Sequence, residues 1–258
     1  MEGRGTGQPA TDSGGERRTV VITGASRGIG HATAKVFLDR GWRILTCSRE
    51  DTPAECRRDA NWTCHIPTDL GDAGSVARFV EQANAALNGA PLHALVNNAG
   101  MSPKTPYKER LGCLNGDLDA WHDVLEINFF APLRLVRGFA AALHRGRGAV
   151  VNVTSIAGHA VHPFAGSAYS ISKAALSALT RELAHECAAL DIRVNAVAPG
   201  EIETAMIQPE YEVLIPRIPM ERMGRPEDVA NAIFYLCSPD SGYVTGSELW
   251  ITGGQHLY

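Results

Sequence analysis

The stretch Thr19-Val20-Val21-Ile22-Thr23-Gly24-Ala25-Ser26-Arg27-Gly28-Ile29-Gly30 constrains the fold more than any other part of the chain. A β-branched run stops at a turn carrying three glycines, and an amphipathic pattern follows through Ala32, Ala34, Val36, Phe37 and Leu38. This is a strand turning sharply into a helix. Gly24, Gly28 and Gly30 let the backbone come close to a pyrophosphate. The free N–H groups and positive dipole end of the helix then hold its charge. The same glycines also suit an ordinary tight turn, so the surrounding pattern has to decide.

That pattern alternates. Short apolar runs at Thr19–Thr23, Arg43–Ser48, Trp62–Pro67, Ala94–Asn97, residues 149–154, Arg193–Pro199 and Glu248–Ile251 read as strands. Amphipathic stretches at residues 30–40, Ala73–Leu87, residues 119–143, residues 168–189 and Pro226–Cys237 read as helices. Strands alternating with helices predict an α/β Rossmann-type, doubly wound sheet of seven parallel strands, covered by helices on both faces. Residues 1–18 are rich in Gly, Thr, Ser and charge and read as a disordered leader; residues 19–258 read as one domain.

With 258 residues, 45% of them hydrophobic, the chain can bury a sizeable core. A formal charge of −4 without a basic block points away from nucleic acid. No uninterrupted apolar stretch reaches the roughly 18 residues of a membrane span, and no apolar signal segment opens the chain. The six cysteines are scattered with no Cys-x-x-Cys pair, as in a reduced, cytoplasmic protein. His159 and His162 are spaced H-x-x-H without companion ligands, so no metal site is expected.

The end of the second strand faces the adenosine ribose in such a fold, where NAD-selective proteins carry an Asp or Glu. This chain has Thr46-Cys47-Ser48-Arg49. Arg49 and Arg27 offer guanidiniums suited to a 2′-phosphate, which favours NADP(H) over NAD(H). Glu50 and Asp51 lie close by and weigh the other way. Further on, Tyr169-Ser170-Ile171-Ser172-Lys173 places a phenol and an ammonium four apart, on one helical face. An ammonium beside a phenol is expected to lower the tyrosine pKa from about 10 and fit it for acid/base work. A surface Y-x-x-x-K is the bland alternative.

Taken together, these residues resemble the short-chain dehydrogenase/reductase family in its single-domain form of about 250 residues. The resemblance runs from Thr19 to Gly254 and rests on motifs in the family's order: the glycine turn, Asp69-Leu70, Asn97-Asn98-Ala99-Gly100, Asn128, Ser155, Tyr169-x-x-x-Lys173, Pro199-Gly200, Gly224-Arg225-Pro226-Glu227-Asp228 and Val244-Thr245-Gly246. It implies an oxidoreductase interconverting a ketone and a secondary alcohol. Ser155 would bond the substrate carbonyl, Tyr169 would act as acid/base, and Lys173 would hold the nicotinamide ribose. Asn128 would bend its helix and anchor a relay water. The cofactor would touch Gly24, Ser26, Arg27, Gly28, Ile29, Gly30, Ser48, Arg49, Asp69, Leu70, Asn97, Ala99 and Gly100. Its nicotinamide would lie against Pro199, Gly200, Ile202 and Thr204. The family also implies a homotetramer or homodimer. The excess apolar surface of the two longest predicted helices suits pairing about a two-fold axis.

Singly, each residue has a bland reading as a cap, turn or loop. Two other functions remain open: an NAD-dependent dehydrogenase of a polyol, sugar or hydroxysteroid, and a catalytically idle dinucleotide sensor. The chain also departs from the family pattern. Residues 101–118 form a longer segment after the fourth strand, carrying Lys104, Lys108 and Arg110, and are placed to overhang the substrate. Glu201 stands where many members have an apolar residue; it either meets a polar substrate or faces solvent. Tyr169 comes 14 positions after Ser155, one more than in many members. Residues 202–223 carry Met206, Ile207, Tyr211, Val213, Leu214, Ile215 and Met220 and read as a partly apolar lid.

Overall fold

The computed structural model describes residues 17–50, 62–105, 109–115, 117–204 and 209–257. Nearly all of the expected leader, and with it Asp51, Cys56, Lys108, Met206 and Ile207, lies outside the described residues.

Seven strands form one parallel sheet: β1 (Thr19–Thr23), β2 (Arg43–Ser48), β3 (Trp62–Pro67), β4 (Ala94–Asn97), β5 (Ala149–Val153), β6 (Arg193–Pro199) and β7 (Glu248–Ile251). Their spatial order is β3-β2-β1-β4-β5-β6-β7. The order reverses between β1 and β4, where Val21 registers with Leu45 on one side and Leu95 on the other. In a doubly wound sheet the crevice beyond the carboxyl ends of the strands at this reversal is the ligand site.

Helices α1 (Gly28–Asp39), α2 (Ala73–Leu87), α3 (Leu118–Leu125), α4 (Ala131–Gly146), α5 (Ser167–Ala188) and α6 (Pro226–Cys237) cover both faces. Alternation along each strand sorts the core. Val20 and Ile22 point to the face where Phe37, Trp42 and Ile233 pack. Val21 points to the opposite face, with Phe79, Leu135 and Phe139. Each such side chain, fully buried, contributes roughly 1.5–3 kcal/mol of transfer free energy. Among the described residues, no helix is long and apolar enough to cross a membrane.

The long helix expected over residues 119–143 is interrupted. Between α3 and α4, Glu126–Phe130 form a π-helical turn in which the Ala131 N–H reaches the Glu126 carbonyl. Pro132 has no N–H to give to the carbonyl of Asn128, so the α-helical ladder cannot run through this point. Asn128 sits inside the turn, fully buried. The widened turn brings its amide to the start of the loop after β4.

Candidate active site

The carboxyl ends of β1 and β4 are tied by Thr23, whose hydroxyl accepts from the N–H groups of Asn98 and Ala99, each at 3.1 Å. The Asn98 amide donates to the Thr23 carbonyl at 3.0 Å and the Gly24 carbonyl at 3.1 Å. Gly24 and Gly28 have φ of +68° and +56°, which glycine adopts without the penalty of a Cβ. A Cβ on Gly30 would lie 2.2 Å from the Gly24 carbonyl oxygen, so no other residue closes this turn. Gly28 lies beneath Thr204, whose Cγ2 is 3.3 Å from where a Cβ would stand. The sequence-predicted phosphate turn and the Thr204 end of the lid are therefore adjacent. A cavity of about 860 Å³ opens beside them, lined by Gly28, His31, Lys35, Thr204, Arg222 and Met223.

Arg27 precedes α1 at its N-cap position and is exposed, as is Arg49 just past β2. Ser48 is turned inward, its hydroxyl donating to the Glu50 carbonyl at 2.6 Å. His65 on β3 underlies it, bonding Thr46 at 2.9 Å, Ser48 at 3.3 Å and the Glu50 carbonyl at 3.1 Å. Asp69 is exposed and caps its own turn, accepting from the Gly71 N–H at 2.9 Å. The Leu70 side chain is part of the core, which leaves only its backbone to meet a ligand.

Asn97 at the end of β4 donates to Asn152 Oδ1 at 2.8 Å, and Asn152 donates to Thr180 on α5 at 2.9 Å. Asn97 Oδ1 is buried and accepts no hydrogen bond. An orphaned acceptor in a native core points to a missing partner. Three residues on, a Cβ at Gly100 would stand 3.3 Å from both Asn128 Oδ1 and Lys173 Nζ. Gly100, Asn128 and Lys173 thus converge. Asn128 is held by the Met101 N–H at 2.9 Å, the Met101 carbonyl at 3.0 Å and the Ser172 hydroxyl at 2.9 Å. The glycine cradle, the orphaned oxygen and the Gly100 position, where a side chain would crowd Asn128 and Lys173, fit a dinucleotide lying across the ends of β1, β4 and β6. Pro199 ends β6, and Ile202 is buried and bridged to Gly224.

Ser155 follows β5. Its Oγ accepts from the Ala157 N–H at 3.2 Å, and its hydroxyl lies near enough to the Tyr169 phenol to favour the ionised form. Lys173, one helical turn on, is 3% exposed; its Nζ donates to the Val153 carbonyl at 2.7 Å and lies 5.7 Å from the Tyr169 ring centre. Here the structure corrects the sequence reading. The Tyr169 phenol is pushed up, chiefly by burial; the Ser155 bond lowers it and the charge of Glu201 raises it further. Burial also drives Lys173 from 10.5 down to about 8. Spacing four residues apart brings the two groups together, but low dielectric penalises both charged forms.

Glu201 neither faces solvent nor lies open: its side chain is 3% exposed and bonded to His162 Nε2 at 2.8 Å. His159 pairs instead with Glu248 at 2.9 Å. Among the described residues no cluster of three or more His, Cys, Asp or Glu is arranged to hold a metal ion. The segment after β4 does reach over the site. Lys104 Nζ donates to the Phe164 carbonyl at 2.5 Å, and Arg110 Nε to the carbonyls of His162 at 3.2 Å and Ala165 at 2.8 Å. From the lid side, Tyr211, Leu214 and Met223 form a small cluster with Phe164. Val213 and Met220 remain exposed.

This arrangement, a glycine turn leading to a serine, tyrosine and lysine at the carboxyl ends of a parallel sheet, defines a nicotinamide-dependent oxidoreductase class. A family model described as enoyl-(acyl carrier protein) reductase matches residues 24–256. The chain belongs to the short-chain dehydrogenase/reductase family and is an NAD(P)-dependent oxidoreductase acting on CH–OH or carbonyl groups. It is 52% identical over 245 residues to the protein FixR of Bradyrhizobium diazoefficiens, covering 94% of this chain and 88% of that one. It is 38% identical over 250 residues to cis-4-hydroxycyclohexanecarboxylate dehydrogenase of Sinomonas cyclohexanicum, covering 92% and 96%. An oxidoreductase of this family from Brucella ovis, solved in complex with a partially ordered NAD, superposes with a TM-score of 0.78 at 46% identity, covering 92% of this chain and 100% of that one.

Proposed function

We propose that this chain interconverts a ketone and a secondary alcohol with NADP(H), using Tyr169 as acid/base. The convergence of Ser155, Tyr169 and Lys173 beside Asn128 and Gly100 carries this reading. Bound nicotinamide dinucleotide supplies or takes the hydride. The protein's part is to orient the carbonyl and move a proton. Ser155 holds the carbonyl oxygen with its hydroxyl, and Tyr169 delivers the proton to that oxygen or takes it back. Lys173 holds the ribose hydroxyls, and Asn128 steadies the loop at Met101 and anchors a relay water. The glycine turn from Gly24 to Gly30, with Ser26 and Ile29, holds the pyrophosphate. Asp69, the Leu70 backbone, Asn97 and Ala99 line the adenine and ribose path. Pro199, Gly200, Ile202 and Thr204 flank the nicotinamide.

The NADP(H) preference is supported by Arg27 and Arg49, both exposed at the ribose end, and by Ser48 standing where an acid would select NAD. The second reading, an NAD-dependent dehydrogenase of a polyol, sugar or hydroxysteroid, draws support from the NAD held by the Brucella ovis protein. The sensor reading loses support because binding alone requires no serine, tyrosine and lysine in bonding reach. We further propose a cytoplasmic homotetramer, with Phe130 and Ile171 supplying apolar surface for helix pairing. The test is a cofactor-turnover screen against ketones, aldehydes, sugars, polyols and steroids, with NADPH and NADH in parallel. Turnover of a ketone or secondary alcohol, faster with the NADP(H) couple, is expected. No turnover with any of them would favour the sensor.

A further inference from the structure

The loop between Ser155 and α5 is held by a hydrogen-bond chain that the proposed reaction leaves unused. His162 Nδ1 accepts from the N–H groups of Phe164 at 3.2 Å and Ala165 at 3.0 Å. A backbone N–H can only donate, so this nitrogen carries no proton. The ring proton is therefore on Nε2, which donates to Glu201 Oε1 at 2.8 Å. The Gln255 amide donates to the same oxygen at 3.3 Å. The Glu201 carboxyl, 3% exposed, thus receives both donors on one oxygen, and a buried polar group persists only where hydrogen bonds satisfy it.

The chain of contacts leads to the proposed acid/base. Ala165 is followed by Gly166, the N-cap of α5, and by Ser167, its first residue; Tyr169 lies in the first turn. At the other end, Glu201 follows Gly200, beside the nicotinamide path. We infer that Glu201 and His162 are a positioning pair: the carboxyl holds the imidazole, and the imidazole fixes the entry of α5 and with it the Tyr169 phenol that gives its proton in carbonyl reduction. The inference rests on the proposed role of Tyr169.

Electrostatics point the same way. Beyond burial, and against the Ser155 hydrogen bond, the Glu201 charge raises the phenol. Among the described residues, the other charged groups facing this region are Lys173 from α5, with Lys104 and Arg110 from the segment after β4. Tyr211 from the lid lies against the His162 ring, 5.8 Å between centres. Of the described cations in that segment, Lys104 and Arg110 both bond carbonyls of residues 162–165, on the same loop that His162 organises from within.

Glu201→Gln keeps an oxygen for the His162 proton and removes the charge. Ultraviolet titration of wild type, Glu201→Gln and Tyr169→Phe identifies Tyr169 as the phenol missing from the last. That phenol is expected to ionise at lower pH in Glu201→Gln than in wild type. An unchanged midpoint in a folded Glu201→Gln protein overturns the electrostatic half. For the positioning half, His162→Ala should lose about ten- to a hundredfold in kcat with little change in KM, the scale of misplacing a reacting group. His162→Asn, which keeps an acceptor for the two amides, should recover most of the loss. Equal damage in both overturns the positioning role. If the variants fail to fold, nitrogen chemical shifts of wild-type His162 decide: the Nε2–H tautomer is expected, and an Nδ1–H ring contradicts the pair. The titration and the tautomer need no turnover, so they stand apart from any failure of the proposed reaction.

Discussion

Replacing Lys173 by Met should make the protein more stable while removing its activity. Lys173 is 3% exposed, and its ammonium donates to the Val153 carbonyl. Burial lowers its pKa from 10.5 to about 8. At 1.36 kcal/mol per unit, a drop of this size costs the folded state about 3 kcal/mol at pH 7. Methionine fills similar space without the charge. Its loss leaves the Val153 carbonyl without that donor, a penalty of about 1–3 kcal/mol. The net gain at neutral pH is therefore about 1 kcal/mol. The sign follows from linkage. Below pH 8 both folded and unfolded chains hold the proton and the penalty is full. Between pH 8 and 10.5 the unfolded chain binds more protons, so wild-type stability rises with pH. Methionine carries no such dependence. Urea denaturation of both proteins at pH 7 and pH 10, without cofactor, measures this. The variant's advantage should shrink or reverse at pH 10. A Met variant whose stability relative to wild type is the same at both values would refute the buried-charge argument.

Arg49→Ala should weaken NADPH binding about tenfold or more, since a charge-assisted hydrogen bond contributes roughly 1.5–3 kcal/mol, while NADH affinity barely moves. Titration of both cofactors into both proteins checks this, and equal weakening of the two would remove the 2′-phosphate role. Sedimentation velocity at micromolar concentration should show a tetramer; a monomer alone would contradict the apolar pairing surface.

Much of the fold was legible because parallel strands buried on both faces read as continuous apolar runs. The bounds of β1, β2, β3, β4, β6 and β7 are those the runs indicate. β5 stops at Val153, one residue early, although the Thr154 N–H and hydroxyl still reach the Val197 carbonyl of β6. The π turn at Glu126–Phe130 was legible only as the bend at Asn128 that the resemblance implies. Its signal was present, since Asn128 stands four residues before Pro132, but periodicity alone does not report a shifted hydrogen-bond ladder. Two further residues were out of reach. His65 reaches the end of β2 only through sheet pairing. Glu201 meets a partner 39 positions away. Its burial depends on how two loops fold together, and residue spacing carries no information about that. The expected fall of the Tyr169 pKa failed for a related reason: the spacing of Tyr169 and Lys173 gives proximity, whereas the sign of the shift follows from depth in the protein.

The central claim is that Tyr169 moves the proton and does little else. Tyr169→Phe keeps the ring and its burial and removes one hydroxyl. With the best substrate from the carbonyl screen, the variant should bind cofactor within about twofold of wild type and turn over about 10²–10⁴ times more slowly, the usual worth of a positioned acid/base. A phenylalanine variant that reduces the same ketone at the wild-type rate would contradict the account.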